Sequence, residues 1–234
     1  MSATTPQRTD VLDNPMWETL NGAHAHLSEG TSRARRYRPQ VSSLVGVDDL
    51  NDPQTWVDLA YLIGPGAQVA LSHGFDRLPT DWSVVMDAAG VQMVATDALV
   101  AEPFDEAVRL GADDVDDMLA LIARTQPGPF SPETYRLGNY LGIRRHGQLI
   151  AMTGERLHPP GWTEISAVCT DAEFRGQGLA RRLVSAVADG IYARGETPFL
   201  HAAADNTTAI DLYLRMGFEV RKQLEFTIVQ SPSS

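Results

Sequence analysis

The stretch from Ile165 to Ala180, ISAVCTDAEFRGQGLA, leaves this chain few ways to fold. Ile165 to Cys169 is apolar and partly β-branched, as a buried strand is, and Thr170-Asp171-Ala172-Glu173 breaks the run. From Leu179 the apolar residues return at Leu183, Val187 and Ile191, steps of four that stack on one helix face, with Gly195 as a C-terminal cap. Between strand and helix lies Arg175-Gly176-Gln177-Gly178. Two glycines there permit unusual backbone angles, so that several N–H groups converge on one spot backed by the positive end of the helix dipole. The stretch is an anion site, best suited to phosphate.

A nucleotide P-loop requires a lysine directly after its glycines, and a dinucleotide fold requires G-x-G-x-x-G early in a strand-helix-strand repeat. Here Leu179, Ala180 and Arg181 follow the glycines, so neither fits. The turn instead resembles the acetyl-CoA motif of the GNAT N-acetyltransferase superfamily, R/Q-x-x-G-x-G/A, matched by Arg175-Gly176-Gln177-Gly178-Leu179-Ala180. The resemblance implies that Arg175, Gly176, Gln177, Gly178, Leu179, Ala180 and Arg181 surround the CoA pyrophosphate. It also implies that the strand end, Val168-Cys169-Thr170, pairs its backbone with the pantetheine arm.

Thr197 to Ala203 reads as a further strand, Asp205 to Thr208 as a helix cap, Ala209 to Met216 as a short helix stopped by Gly217, and Phe218 to Val229 as a last strand. Asn206, Ala209, Leu212, Tyr213, Gly217 and Phe218 resemble the second conserved block of the same superfamily. On that resemblance Asn206 contacts the cofactor, and Tyr213 lies near its sulfur and protonates the departing thiolate. The alternative for Tyr213 is packing on the apolar face of its helix.

Upstream, the acidic run Asp113 to Asp117 lacks the ligand order of an EF-hand. It starts a helix instead, with Val115, Met118, Leu119 and Ile122 at helical spacing. Thr125 to Pro132 is a proline-rich loop, and the resemblance puts Phe130 beside the acceptor pocket, with a plain loop anchor as the alternative. Tyr140 to Arg144 and Leu149 to Leu157 form a hairpin leading through His158-Pro159-Pro160-Gly161 into the organising strand. Helix, loop, three antiparallel strands, helix, strand, helix, strand is the GNAT order. The expected fold is therefore α/β (α+β): a mixed, mostly antiparallel central sheet flanked by helices. Residues 106–234 are the expected catalytic domain and residues 1–105 a smaller, degenerate GNAT-like domain. In the first part a helix from Asn51-Asp52-Pro53 to Leu62 and strands at Val69 to Ser72, Ser83 to Asp87 and Val91 to Thr96 are legible. Trp17, Trp56 and Trp82 read as packing residues.

With 43% apolar residues the chain has enough material for a genuine core. A formal charge of −11 argues against binding nucleic acid or anionic membrane. The basic cluster Arg33 to Arg38 reads as a solvated or internally paired surface. No signal-peptide core and no membrane-length apolar run is legible, which points to the cytoplasm. The single cysteine, Cys169, forms no internal disulfide, and His24 and His26 lack further convergent ligands, so no metal is expected.

Acetyl transfer to an amine needs a base, because an alkylammonium has a pKa of about 10. Glu164, eleven residues before Arg175, sits where histone-modifying members of the superfamily carry their catalytic glutamate. The alternative is a strand-end carboxylate facing water. Glu155 and His158 are fallbacks, and His201 reads as a hydrogen-bonded core residue. The expected partners are acetyl-CoA and an amine acceptor, small or amino-acid-like, and a homodimer is allowed. A protein lysine or N-terminus as acceptor, or a non-catalytic acyl-CoA sensor, are the competing readings.

Overall fold

The computed structural model describes residues 9–71 and 75–233. Ser72, assigned above to a strand, and the first eight residues lie outside the described residues. The first part contains α1 (Pro15–Asn21), β1 (Ser28–Gly30), β2 (Ala34–Tyr37), β3 (Val45–Val47), α2 (Pro53–Ile63), β4 (Gln68–Leu71) and β5 (Ser83–Ala95). After a linker come β6 (Val108–Leu110), α3 (Val115–Thr125), β7 (Tyr140–Arg145), β8 (Gln148–Glu155) and β9 (Trp162–Thr170). The chain then runs through α4 (Leu179–Ala193), β10 (Thr197–Ala203), α5 (Thr207–Met216) and β11 (Phe218–Gln230).

β1, β2 and β3 form a small antiparallel sheet, and the other eight strands a second one in the order β4-β11-β5-β10-β9-β8-β7-β6. Its neighbours are antiparallel except for β9 and β10. The helix, antiparallel trio, helix and strand of α1, β1 to β3, α2 and β4 repeat the order of α3, β7 to β9, α4 and β10. The strands β1, β2, β3 and β6 are too short for an alternating pattern to announce them, and the sequence reading did not place them.

Ser83 to Asp87 and Val91 to Thr96, expected as separate strands, form one strand, β5. Ala88-Ala89-Gly90 is a break in composition but not in pairing: β5 runs beside β11 over twelve register positions, Ser83 opposite Gln230 and Ala95 opposite Phe218. Gly90 has a packing reason, since a Cβ there would lie 2.4 Å from the Phe226 ring. β5 also pairs with β10, from Gly90 opposite Ala203 to Val94 opposite Phe199. The sheet thus crosses the segment between residues 101 and 111, and a strand from before residue 105 fills the slot between β10 and β11.

The two ends of this ribbon enter different cores. Val91 and Met93 of β5 pack with Val184, Val187 and Ile191 of α4 and Tyr213 of α5, each large buried side chain contributing roughly 1.5–3 kcal/mol. Val229 of β11 packs with Trp56 and Leu59 of α2, Val69, Leu71 and Trp82. The two parts have exchanged strand ends. On the sheet face opposite α4, Phe199 and Trp162 pack against Leu12, Leu20 and Tyr37. Farther along, α3 lays Met118 and Leu121 on Tyr140, Met152 and Cys169. Among the described residues no helix is long and apolar enough to cross a membrane.

Candidate active site

β9 and β10 pair only over Trp162 to Glu164 and Thr197 to Phe199, and then part. β9 stays attached to β8 on its other edge, with Cys169 opposite Met152 and Thr170 opposite Ala151. The register shift in this pairing lies near Ala167, whose φ of 52° is left-handed. The end of β9 therefore turns an unpaired backbone edge toward the gap. Val168 is half-buried against the α4 cluster. Cys169 is buried, and desolvation pushes its thiol up to about 11, so it packs rather than attacks. The Thr170 hydroxyl is buried at the strand's end without a hydrogen-bond partner among the described residues.

Beyond Thr170, Asp171 is held by Arg124 Nε at 2.8 Å, and Arg175 Nε donates back to Thr170 O at 3.2 Å. Arg175 Nε therefore fastens the turn to the strand. Gly176 and Gly178 have φ of 78° and 74°, and no atom of the described residues lies within 4 Å of where their Cβ atoms would be. These glycines answer to backbone angle and open space, as an approaching ligand requires. Gly178 is the N-cap of α4 and offers no side-chain cap. The first intrahelical bond comes from Arg182 N to Gly178 O at 3.1 Å, which leaves the earlier amides of the turn, at Leu179, Ala180 and Arg181, without a helical acceptor. Arg181, Arg182 and Arg215 line a cleft of about 310 Å³ next to this helix start. Uncapped amides, an orphaned hydroxyl and three guanidiniums fit a polyphosphate.

Tyr213 is 6% exposed, between Phe218 at 6.0 Å ring separation and the cluster containing Ile165 and Leu200. Its hydroxyl makes no hydrogen bond among the described residues, and burial pushes its pKa up to about 12. Asn206 is exposed and caps α5, its Oδ1 accepting from Ala209 N at 3.2 Å.

Glu164 does not face water: it is fully buried on the sheet face opposite α4. Burial alone would raise its pKa, but Arg156, reaching it through Nε at 2.7 Å and Nη2 at 2.5 Å, and His201 Nδ1 at 2.6 Å hold it down at about 2. Gln92 Nε2 lies 3.2 Å from His201 Nε2 and also donates to Leu12 O. Since the amide nitrogen only donates, His201 Nε2 accepts and Nδ1–H points at Glu164. His201 sits two residues past the last position at which β10 pairs with β9, and stays paired with Gln92 of β5. Glu155 and His158 are elsewhere: Glu155 is on the α4 face, bound by Arg194 at 2.9 Å and Asn139, and His158 Nε2 lies 2.9 Å from Leu137 O. Phe130 packs edge-on against Tyr140, as a loop anchor does. Arg156 and Gln92, which organise the cluster, carry no local sequence signal.

Residues 140–227 match the FR47-like protein family. A putative acetyltransferase of the GNAT family from Novosphingobium aromaticivorans superimposes with a TM-score of 0.85 at 35% identity, over 94% of this chain and 98% of that one. The N-alpha-acetyltransferase RimI of Mycobacterium tuberculosis is 34% identical over 97 residues, 40% of this chain and 60% of RimI. A mycothiol acetyltransferase of Saccharopolyspora erythraea is 34% identical over 82 residues, 35% of this chain and 27% of that protein. The chain thus spans less than two thirds of either curated relative. The likeness to the Novosphingobium protein, by contrast, takes in nearly the whole of both chains: the chain belongs to the GNAT superfamily of N-acetyltransferases.

Proposed function

We propose that the protein transfers an acetyl group from acetyl-CoA to the primary amine of a small or amino-acid-like acceptor. The observation that carries this reading is the uncapped start of α4 beside the gap between β9 and β10. Acetyl-CoA would supply the activated thioester, its pyrophosphate facing the amides of Gly176 to Arg181 and its arm the free edge of Val168 to Thr170. Tyr213 serves as the acid: a hydroxyl protonated up to about pH 12, with no competing hydrogen bond, is suited to give its proton to a leaving thiolate.

Glu164 enters as a positioning residue. A carboxylate held near pKa 2 is a weak proton acceptor, but it fixes the His201 tautomer whose Nε2 faces Gln92. The ammonium gives its first proton to water, the amine nitrogen bonds to the thioester carbon, the carbon–sulfur bond breaks as Tyr213 protonates the sulfur, and the second nitrogen proton passes to the Tyr213 oxygen, which restores the acid. Residues 1–105 in this reading are a reduced GNAT copy that covers the acceptor side, contributing Tyr37 and Leu12 around the Glu164 cluster.

The test is a thiol-release assay with acetyl-CoA against amines, amino acids and peptides. Tyr213→Phe is expected to lower kcat about 10²-fold or more with acetyl-CoA affinity unchanged. Unchanged turnover in Tyr213→Phe would remove its role. Binding of acetyl-CoA without release for any acceptor would favour a sensor. A second reading, acetylation of a protein N-terminus, draws on the similarity to RimI; release with peptides but not with free amines would select it.

A further inference from the structure

A cavity of about 390 Å³ lies on the α4 face of the sheet, between α4, β7, β8 and the linker that follows β5. It is separate from the glycine turn. Its α4 wall is Ala186, Val187, Asp189 and Gly190, up to twelve residues beyond Gly178, which at 1.5 Å per residue is up to about 18 Å along the helix. It is separate also from the Glu164 cluster, which occupies the opposite face.

One side of the cavity is apolar, made by Phe104, Ala107, Leu141, Ala186 and Val187. The other side carries a connected polar rail. Arg109 Nη2 donates to Asn139 Oδ1 at 2.7 Å, Asn139 Nδ2 donates to Glu155 at 3.1 Å, and Glu155 accepts from Arg194 Nη2 at 2.9 Å. Arg194 Nη1 in turn donates to Gly190 O at 3.1 Å. Glu155 is 2% exposed and its charge is answered by Arg194. Two charges remain unmatched. Asp189 makes no ion pair or hydrogen bond among the described residues, and Arg109 engages one of its five N–H groups. Gly190 adds room, since its Cβ position has no neighbour nearer than Arg194 Nη1 at 4.0 Å.

We propose that this cavity binds a small zwitterion, an α-amino acid with a compact apolar side chain. The ligand's carboxylate pairs with the free guanidinium edge of Arg109, its ammonium with Asp189, and its side chain lies on the apolar wall. The size fits the lower range of small-molecule sites, about 300–1,000 Å³, and the mixture of an apolar wall with a few fixed polar groups is what such sites present. The site is neither at the glycine turn nor at the Glu164 cluster and lies under the linker joining the two parts, so its ligand is distinct from the acetyl acceptor.

The experiment is calorimetric titration of the full chain, without acetyl-CoA, using L-leucine, L-valine and L-methionine, with leucinamide and 4-methylpentanoate as probes lacking one charge. At least one amino acid is expected to bind, and its single-charge analogues at least tenfold more weakly. Asp189→Asn should weaken binding about tenfold or more, and Gly190→Leu should abolish it by filling the cavity. Leucine replaces glycine inside a helix at a gain of roughly 0.5–1 kcal/mol in propensity, so Gly190→Leu keeps the fold. Acetyl-CoA affinity is expected to be the same in all variants, which separates failure of this site from failure of the transfer centre. No binding by any of the three amino acids, or binding that survives Gly190→Leu, overturns the proposal; in the second case the amino acid sits elsewhere.

Discussion

The turn from β3 to α2 and the turn from β9 to α4 occupy equivalent places in the two parts of the molecule, yet are built from opposite chemistry. The second is Arg175-Gly176-Gln177-Gly178, with two left-handed glycines, no side-chain cap and arginines at the helix start. The first contains Asp48, Asp49 and Asp52, followed by Pro53 at the first helical position. There Asp52 caps its own helix, accepting from Gln54 N at 2.9 Å, and pairs with Arg33 at 3.1 Å. A helix start whose amides are met by its own carboxylate is more stable and repels a phosphate; one left open is less stable and receives it. The same topology is thus a self-capped structural joint in one part and a candidate ligand site in the other.

The hardest way to break the comparison is to separate the parts. A fragment of residues 106–234 lacks β5, so β10 and β11 lose their shared neighbour and the α4 core loses Val91 and Met93. The fragment is expected to forfeit the whole stability of a domain, about 5–15 kcal/mol, and to yield no cooperative unfolding transition by circular dichroism. A soluble, cooperative fragment would show that the two parts are independent.

Next come the ion pairs. Arg156→Met leaves Glu164 charged, buried and held by His201 alone, which is expected to cost about 3–5 kcal/mol. Its counterpart Arg33→Met removes a pair whose partners are 41% and 42% exposed and should cost under about 1 kcal/mol. Urea unfolding of both variants reads the contrast, and equal costs would erase it.

Acid resolves the two parts by pH. Burial, with His158 and His26 nearby, lowers the pKa of His24 from 6.5 to about 3. The unfolded chain therefore binds the proton first, and stability falls as pH drops below 6.5, by roughly 2 kcal/mol at about pH 5. Glu164 titrates lower: its contribution is complete above about pH 4.5 and lost as pH falls toward 2. In pH-dependent thermal unfolding His24→Gln should flatten the upper window and Glu164→Gln the lower. A single shared window would contradict the assignment.

The smallest effects sharpen the two turns directly. Gly178→Val forces a β-branched residue to a φ of 74° and is expected to cost about 1–2 kcal/mol and raise the Kd for acetyl-CoA tenfold or more. Asp52→Ala removes the α2 cap, costs about 1 kcal/mol and leaves acetyl-CoA affinity unchanged. Calorimetry on both variants checks the pair; acetyl-CoA affinity that follows Asp52 would place the ligand in the wrong part.

The glycine turn was legible because positive φ at Gly176 and Gly178 and an uncapped helix write themselves into the local sequence. So were α2, α3 and α4, whose apolar spacing names their buried faces. β5 was read as two strands because its continuity depends on β11, more than a hundred residues later, and nothing within Ala88-Ala89-Gly90 reports a partner. The setting of Glu164 was illegible for the same reason. Its partners Arg156 and His201, and Gln92 behind His201, come from three different strands or strand ends, and a carboxylate reads alike in sequence whether it meets water or a guanidinium.

The exchanged strand ends also set a schedule for biosynthesis. Val229, which closes the core around Trp56, is added about 135 residues after Ala95, and at about 5–20 residues per second this is a wait of roughly 7–27 s. Throughout that interval the first part is missing its last strand, and Val84, Val85 and Met86, each about half exposed even in the finished protein, stand on an edge still seeking β11. The nascent chain is therefore open to strand pairing with a neighbouring copy until β11 arrives.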